Sequence, residues 1–312
     1  MRNRKGFTLV EILISVIILG LVMASVLSLF FSVFKSYEFH QDIMEAKQRG
    51  QIAVAAIQPV ILNAGLGLPK GNTFFDIYKN RSNLIIKNPA EKNDTGNFRS
   101  SVQIADTRTA SSLEKEGEAL WVLYSVPSGA GVNYEYKFLK DDLGRFTEAD
   151  GEIENLDKLD LVENAPANAP NLKGWVSFPG SKSAFFVTDI DKANGVLEIQ
   201  SYLLQTIRAY DEIHYVRAAK IYTKIQNGVS SLFIDRIDGS GEHDAVEGIE
   251  ALWFTYDEDG DGVLTVYVLS KADTLHSEQY QTSVEGWPAS APAPTDLRYR
   301  YTVVSKSWRI RN

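Results

Sequence analysis

An uninterrupted apolar run sets the first constraint on this chain. From Ile12 to Phe34, about 23 residues pass without a charged side chain, and at roughly 1.5 Å of rise per residue a helix of that length crosses a hydrocarbon layer of about 30 Å. The run predicts a transmembrane helix. Arg2, Arg4 and Lys5 precede it and most of the acidic residues follow it, so the N-terminus is expected on the cytoplasmic side and the remainder outside. A secretory signal would end in small residues of the Ala-x-Ala kind after a short apolar core, and no such site follows here. One carboxylate, Glu11, stands at the start of the run. At full membrane depth it costs on the order of 2.5 to 3.5 kcal/mol, so it needs a positive partner or a shallow, snorkelling position.

Beyond Phe34 the apolar positions thin to Phe39, Ile43, Ala46, Gly50, Ala53, Ile57, Val60 and Ala64, alternately four and three apart. That spacing predicts a continued helix with one dry side. The side is rich in Ala and Gly, which favours close packing on the chain's own sheet over a coiled coil. Pro59 removes the bond to the Ala55 carbonyl, so a kink or an early end is expected there, and Gly65, Gly67 and Pro69 terminate the helix in any case. From Phe7 to Leu62 such a helix is roughly 84 Å long.

The rest reads as strands. Apolar runs of strand length occupy 84–86, 119–124, 134–138, 184–187, 195–199, 212–216, 220–225, 231–235, 252–256, 263–267 and 302–304, separated by turn residues. Two Pro/Ala-rich stretches, 164–171 and 287–294, read as exposed connections, and the first is either the boundary between two sheet modules or a surface loop of one continuous domain. Acidic residues gather between Asp141 and Glu163, where a solvated face or a mobile loop is expected. The chain has no cysteine and four scattered histidines, so disulfides, thiolate chemistry and histidine-rich zinc sites are excluded. Its net charge of -8 argues against general affinity for nucleic acid.

The residues Lys5-Gly6-Phe7-Thr8-Leu9-Val10-Glu11, followed by the uncharged helix, resemble the class III leader of bacterial type IV pilins and type II secretion pseudopilins. The resemblance implies cleavage by prepilin peptidase after Gly6 and N-methylation of the new amino group on Phe7. It also implies an assembly role for Glu11, whose carboxylate meets the Phe amino group of a neighbouring subunit. An amine is the natural neutraliser of an acid held in lipid. Loss of the leader leaves 29 basic against 40 acidic side chains, a net -11. Further on, Glu247–Tyr256, the Asp-Gly run after it and the terminal Arg298–Asn312 resemble PilW-type minor pilins, with the J-type pseudopilin of type II secretion as the nearest rival. Two departures stand out: the paired cysteines of many PilW-type domains are absent, and Ser28 stands near the place where major pilins usually carry a proline.

Two constellations invite binding. In Asp257-Glu258-Asp259-Gly260-Asp261-Gly262, carboxylates alternate ahead of a glycine, the opening of a calcium loop. Asp257, Asp259 and Asp261 would be completed by the Val263 carbonyl, Thr265 or a distant acid such as Glu250. The twelfth position, where an EF-hand needs glutamate, is Val268, and Asp-Gly pairs also serve plain hairpin turns. Asp189–Gly195 has one residue too many for the same spacing, and Asp235–Gly239 reads as a turn. The C-terminal segment holds Arg298, Arg300, Lys306, Arg309 and Arg311 with no acid, either pairing with the chain's own acidic surface or docking to an acidic neighbour.

The expectation is an α+β chain: a leader at 1–6, a pilin helix at 7–65 with its transmembrane part at 7–34, and an extracytoplasmic antiparallel β domain at 66–312. The expected function is that of a minor pilin in the tip or priming complex of a type IV pilus. It would contact other minor pilins and the major pilin through its helix, meet prepilin peptidase, and reside in the inner membrane before reaching the cell surface. A secretion pseudopilin is the alternative within the class. A membrane-anchored enzyme or a pilus-borne adhesin is the alternative outside it, and no pairing of His with Ser or Asp supports catalysis.

Overall fold

The computed structural model describes residues 8–68, 101–105, 116–159, 174–236, 242–257, 261–277, 279, 283–294 and 296–310. A single helix, α1 (Leu9–Leu62), opens the chain. At 54 residues it is about 81 Å long. Every residue from Thr8 to Glu38 is exposed, and burial begins at Phe39. From there Ala46, Gly50, Ala53, Ile57 and Val60 form the buried side, as the four-three spacing predicts, joined by Asp42, Val54 and Ile61. Pro59 does not end the helix; it lies within the last turn, where Asn63 Nδ2 donates to its carbonyl at 3.1 Å. Beyond Asn63 the backbone turns through Gly65 and Gly67 at φ of 70° and 66°. A side chain on Gly67 would also run into the Phe178 carbonyl, so only glycine fits there.

The strands in chain order are β1 (Val102–Ala105), β2 (Glu116–Gly117), β3 (Ala119–Val132), β4 (Tyr136–Phe138), β5 (Asp142–Thr147), β6 (Ile153–Glu154), β7 (Trp175–Ser177), β8 (Phe185–Asp191), β9 (Val196–Ser201), β10 (Gln205–Ile207), β11 (Asp211–Gln226), β12 (Val229–Arg236), β13 (Glu242–Glu247), β14 (Ile249–Asp257), β15 (Val263–Lys271) and β16 (Tyr301–Arg309). All pairings are antiparallel. A ten-stranded sheet runs β1-β3-β11-β7-β8-β9-β5, with β12 and β13 continuing from one half of β11 and β6 pairing with β3. A four-stranded sheet runs β16-β15-β14-β2, and β10 pairs with β4. The helix seats its dry side on β15 and β16.

The sequence explains why β3 and β11 form the spine. Residues Ala119–Ser125 are buried without interruption because both faces of the sheet are covered. Leu120 and Val122 join the helix core with Ile57, Ile61, Phe254 and Val266, whereas Trp121 and Leu123 face Trp175, Tyr202 and Phe233. At the far end of the same two strands, Phe138, Phe146, Phe178, Phe185, Ile199 and Ile213 make a separate core. Two strands were expected at 212–216 and 220–225; the structure has one, β11, of 16 residues. The apparent break at Arg217–Ala219 is bridged because the ladder to β3 runs through it, and Lys220 just beyond is buried with its ammonium 5.0 Å from the Trp121 ring centre and 4.7 Å from that of Tyr222, so a charge is accommodated inside the strand.

Much of the acidic stretch is ordered. Asp142 accepts from Leu139 N–H at 3.2 Å, Glu148 from Leu156 N–H at 2.9 Å, Glu152 from Thr147 N–H at 3.2 Å, and Asp150 from the Thr147 hydroxyl at 2.7 Å. The carboxylates cap turns on the solvent side of β5 and β6. The Pro/Ala-rich stretch at 287–294 is half-buried to exposed, with Ser290 Oγ donating to Glu116 on β2 at 2.8 Å. Residues 84–86 and 164–171 lie outside the described residues.

Candidate functional site

The N-terminal end of α1 is closed by its own side chains. Thr8 is the N-cap, and Glu11 three residues on completes a capping box. Glu11 Oε2 accepts from the Thr8 N–H at 2.9 Å and the Thr8 hydroxyl at 3.0 Å, while the Glu11 N–H donates to Thr8 Oγ1 at 3.3 Å. The acid at the start of the apolar run is thus hydrogen-bonded within the chain. Gly6 and Phe7 lie outside the described residues. After Glu11 no charge occurs until Lys35, and the exposed stretch makes α1 long and apolar enough to cross a membrane.

Where the helix meets the domain, a polar clasp fixes it. Arg49 forks onto Asp273 with two bonds of 2.7 Å, donates to the Lys271 carbonyl at 3.1 Å, and reaches Glu45 one turn back at 2.6 Å. Its hydrogen bonds hold the Asp273 carboxyl below the ordinary carboxylate range, and Asp273 in turn raises the guanidinium. Asp42, only 4% exposed, takes the Thr274 hydroxyl at 2.9 Å and His276 Nε2 at 2.8 Å. The Arg300 guanidinium lies 4.5 Å from the Phe39 ring centre, and Ser270 Oγ donates to the Ala46 carbonyl at 2.6 Å. One connection, 270–276, therefore grips two turns of helix at the point where burial begins. Sequence reasoning identified the dry side but not Asp42, Arg49, Asp273 or His276. The available signal was the seven-residue interval between Asp42 and Arg49, each beside an apolar position.

The Asp-Gly run is the hairpin between β14 and β15. Asp257 pairs with Val263, the Gly262 N–H returns to the Asp257 carbonyl at 3.0 Å, and Gly262 has φ of 65°. Asp257 and Asp261 are exposed at the two ends of the turn; Asp259 lies outside the described residues. Thr265 shares a hydrogen bond of 2.8 Å with Ser307. The ladder alternation turns the Val263 carbonyl toward β14. Glu250 sits near the opposite end of β14, seven positions or about 23 Å from Asp257, and is bonded to Lys271 at 2.8 Å. The backbone thus removes Glu250 from this loop. Arg309 lies in the same cross-strand row as Asp257 and Val263. In the other turn, Asp191 is occupied by Ala193 N–H, Asn194 N–H and Asn194 Nδ2; residues 238–239 lie outside the described residues. Among the described residues no group of three or more His, Asp or Glu side chains converges as a metal site would require.

The basic C-terminal segment is largely used internally. Arg298 pairs with Asp296 at 2.7 Å and holds that carboxyl down to about 2, Arg300 is buried against Phe39, and Lys306 donates to Gln58 on the helix at 2.6 Å. Arg309 is exposed, and Arg311 lies outside the described residues.

Residues 1–27 match the family model described as the prokaryotic N-terminal methylation motif. This chain has a prepilin-like N-terminus on a pilin-like fold. No curated protein and no solved structure matches it. The motif spans the basic leader, the Gly6-Phe7 junction, Glu11 and the first half of the apolar run, and supports processing by prepilin peptidase and anchoring in the membrane. A long helix, half bare and half seated on a large antiparallel sheet, describes a pilin-like structural subunit.

Proposed function

We propose that this protein is a minor pilin of a type IV pilus, placed in the tip or priming complex. The observation that favours this reading is the division of α1: an apolar half with no intramolecular cover, continuous with a half seated on an unusually large β domain. The bare half is suited to packing among other pilin helices. A domain of this size disfavours dense repetition along a filament and suits an end. Glu11 takes the assembly role, exchanging its bond to Thr8 for the amino group of a neighbouring subunit's Phe7. A secretion pseudopilin remains the second reading, since the same helix serves both assemblies.

The test is mass and location together. Intact protein extracted from membranes should begin at Phe7 and be heavier by one methyl group, and sheared filaments should contain it in trace amounts relative to the major subunit, labelled at their ends. A chain still beginning at Met1 in cells with active peptidase would return it to a plain membrane anchor. Correct processing with absence from filaments, but presence with secretion pseudopilins, would select the second reading.

We also propose calcium as a ligand of Asp257, Asp259 and Asp261, because hard oxygen donors at alternate positions of a short run ending in Asp-Gly suit a hard cation. Arg309 in the same row weakens the site, so it should fill only at millimolar concentration. Calcium at a hundredfold excess over Kd would add about 2.7 kcal/mol of stability, seen as a higher melting temperature that Asp259→Ala abolishes. Indifference to both calcium and chelator would make the run an ordinary turn.

A further inference from the structure

Among the described residues the four-stranded sheet ends in an open edge whose donors and acceptors are set out by its register. The Ile310 N–H donates to the Gly262 carbonyl at 2.9 Å, and the Ala272 N–H donates to the Arg300 carbonyl at 3.0 Å. Even-numbered positions of β16 and its flanks therefore bond inward to β15. In an antiparallel ladder the intervening residues turn their N–H and C=O groups the other way. Ser305, Ser307 and Arg309 consequently present backbone donors and acceptors on the side away from β15, where no strand lies among the described residues. All of them are exposed, as is Lys306. Toward the start of β16 the edge is less open, because Val303 and Val304 are half-buried and a Cβ on Gly286 would touch Val303 at 3.8 Å.

An exposed edge of this kind is a template for strand addition. Its charge selects the occupant. From Leu297 to Asn312 the chain has no acidic residue, and Arg309 has no ion pair among the described residues. A second copy paired antiparallel on the same edge would bring the Lys306 and Arg309 regions of both chains together, and like charges across a strand pair repel. Acidic side chains opposite them would attract.

We propose that the free edge of β16, at Ser305–Arg309, receives an extended acidic segment of another protein as an added strand. The proposal rests on the edge itself and stands whether or not the chain enters a pilus. Backbone bonds supply the register, and Arg309, whose side chain leaves the sheet on the face opposite to Lys306, supplies the preference for Asp or Glu.

The test uses the full chain in detergent micelles and a fluorescent peptide of about seven residues alternating Glu and Val, enough to span the edge at roughly 3.4 Å per residue. Controls are the same peptide with Lys for Glu, and two versions N-methylated on alternate residues, which remove the backbone donors of one side at a time. The acidic peptide should bind at least about tenfold more tightly than the basic one, and one of the two methylated versions should lose binding. Hydrogen exchange at Ser305, Ser307 and Arg309 should slow on binding, while Lys306 and Trp308, already bonded to β15, should not change. Ser307→Pro removes one outward N–H and should weaken binding about tenfold or more, Ser307→Ala should not, and Arg309→Glu should reduce the preference for acid. If Ser307→Pro fails to fold, the methylated peptides decide. Equal binding of acidic and basic peptides, tolerance of methylation on both sides, or unchanged exchange overturns the proposal. Protection of the same amides in concentrated protein without peptide would overturn it too, by assigning the edge to a second copy.

Discussion

Gly50→Leu should lower the unfolding midpoint of the full chain in detergent by roughly 4–12 °C, because Gly50 brings the helix backbone close against the sheet that holds it. A Cβ on Gly50 would stand 2.7 Å from Val304 Cγ2 and 3.0 Å from Ser270 Oγ. Val304 is β-branched and stiff, and Ser270 is fixed by its bonds to the Ala46 and Thr302 carbonyls. Neither can retreat cheaply, so α1 must lift from β15 and β16. Overpacking of this sort costs about 3 kcal/mol, and a domain of this size loses roughly 2–4 °C per kcal/mol. Leucine's better helix propensity returns about 1 kcal/mol at most. Gly20→Leu is the control: a Cβ there meets nothing within 4 Å, and domain unfolding should not move. An unchanged midpoint for Gly50→Leu would mean that the helix is not seated on this sheet in solution.

That close approach was legible in the sequence because a helix with one dry side must place its small residues where the partner is nearest, and Ala46, Gly50 and Ala53 occur at helical spacing. The strand at 119–124 was legible for a related reason: a strand covered on both faces is apolar throughout. β11 was divided at Arg217–Ala219, since a charged residue followed by two small ones looks like a break until the ladder to β3 is in place. β2, β6 and β10 have two or three residues each and are imposed by neighbours, not by local pattern. Of the clasp, the spacing of Asp42 and Arg49 was there to read but their partners were not. Asp42 and His276 are 234 positions apart, and Arg49 and Asp273 are 224 apart, so no local window contains both partners.

The clasp also bears on how the two halves of the molecule communicate. A shift of α1 by one turn, about 5.4 Å, would leave Asp42 buried without Thr274 and His276 and would separate Arg49 from Asp273. Apolar packing alone tolerates small sliding, whereas a buried acid with fixed partners does not. The clasp therefore sets the helix register on the domain, and any force along the membrane half reaches β15 and β16 through residues 270–276. The open edge of β16 lies on that same sheet.

Glu11→Ala should leave the protein inserted and processed but reduce its recovery with the other pilins about tenfold or more. Among the described residues the Glu11 side chain makes a capping box with Thr8, worth about 1 kcal/mol. Removing the acid also removes an insertion cost on the order of 2.5 to 3.5 kcal/mol at full depth, so the variant should enter the membrane at least as readily as the native chain. A loss of assembly would then come from the missing contact with a neighbour's amine and not from a poor anchor. Thr8→Ala separates the two roles. It removes the two bonds made by the Thr8 hydroxyl but keeps the carboxylate and the backbone N–H that donates to it, so its recovery should stay close to native. The measurement is co-purification from membranes, with intact mass confirming that both variants begin at residue 7. Equal losses for the two variants would assign the effect to the helix cap, and unchanged recovery of Glu11→Ala would leave contacts between the domains, not the carboxylate, as the basis of capture.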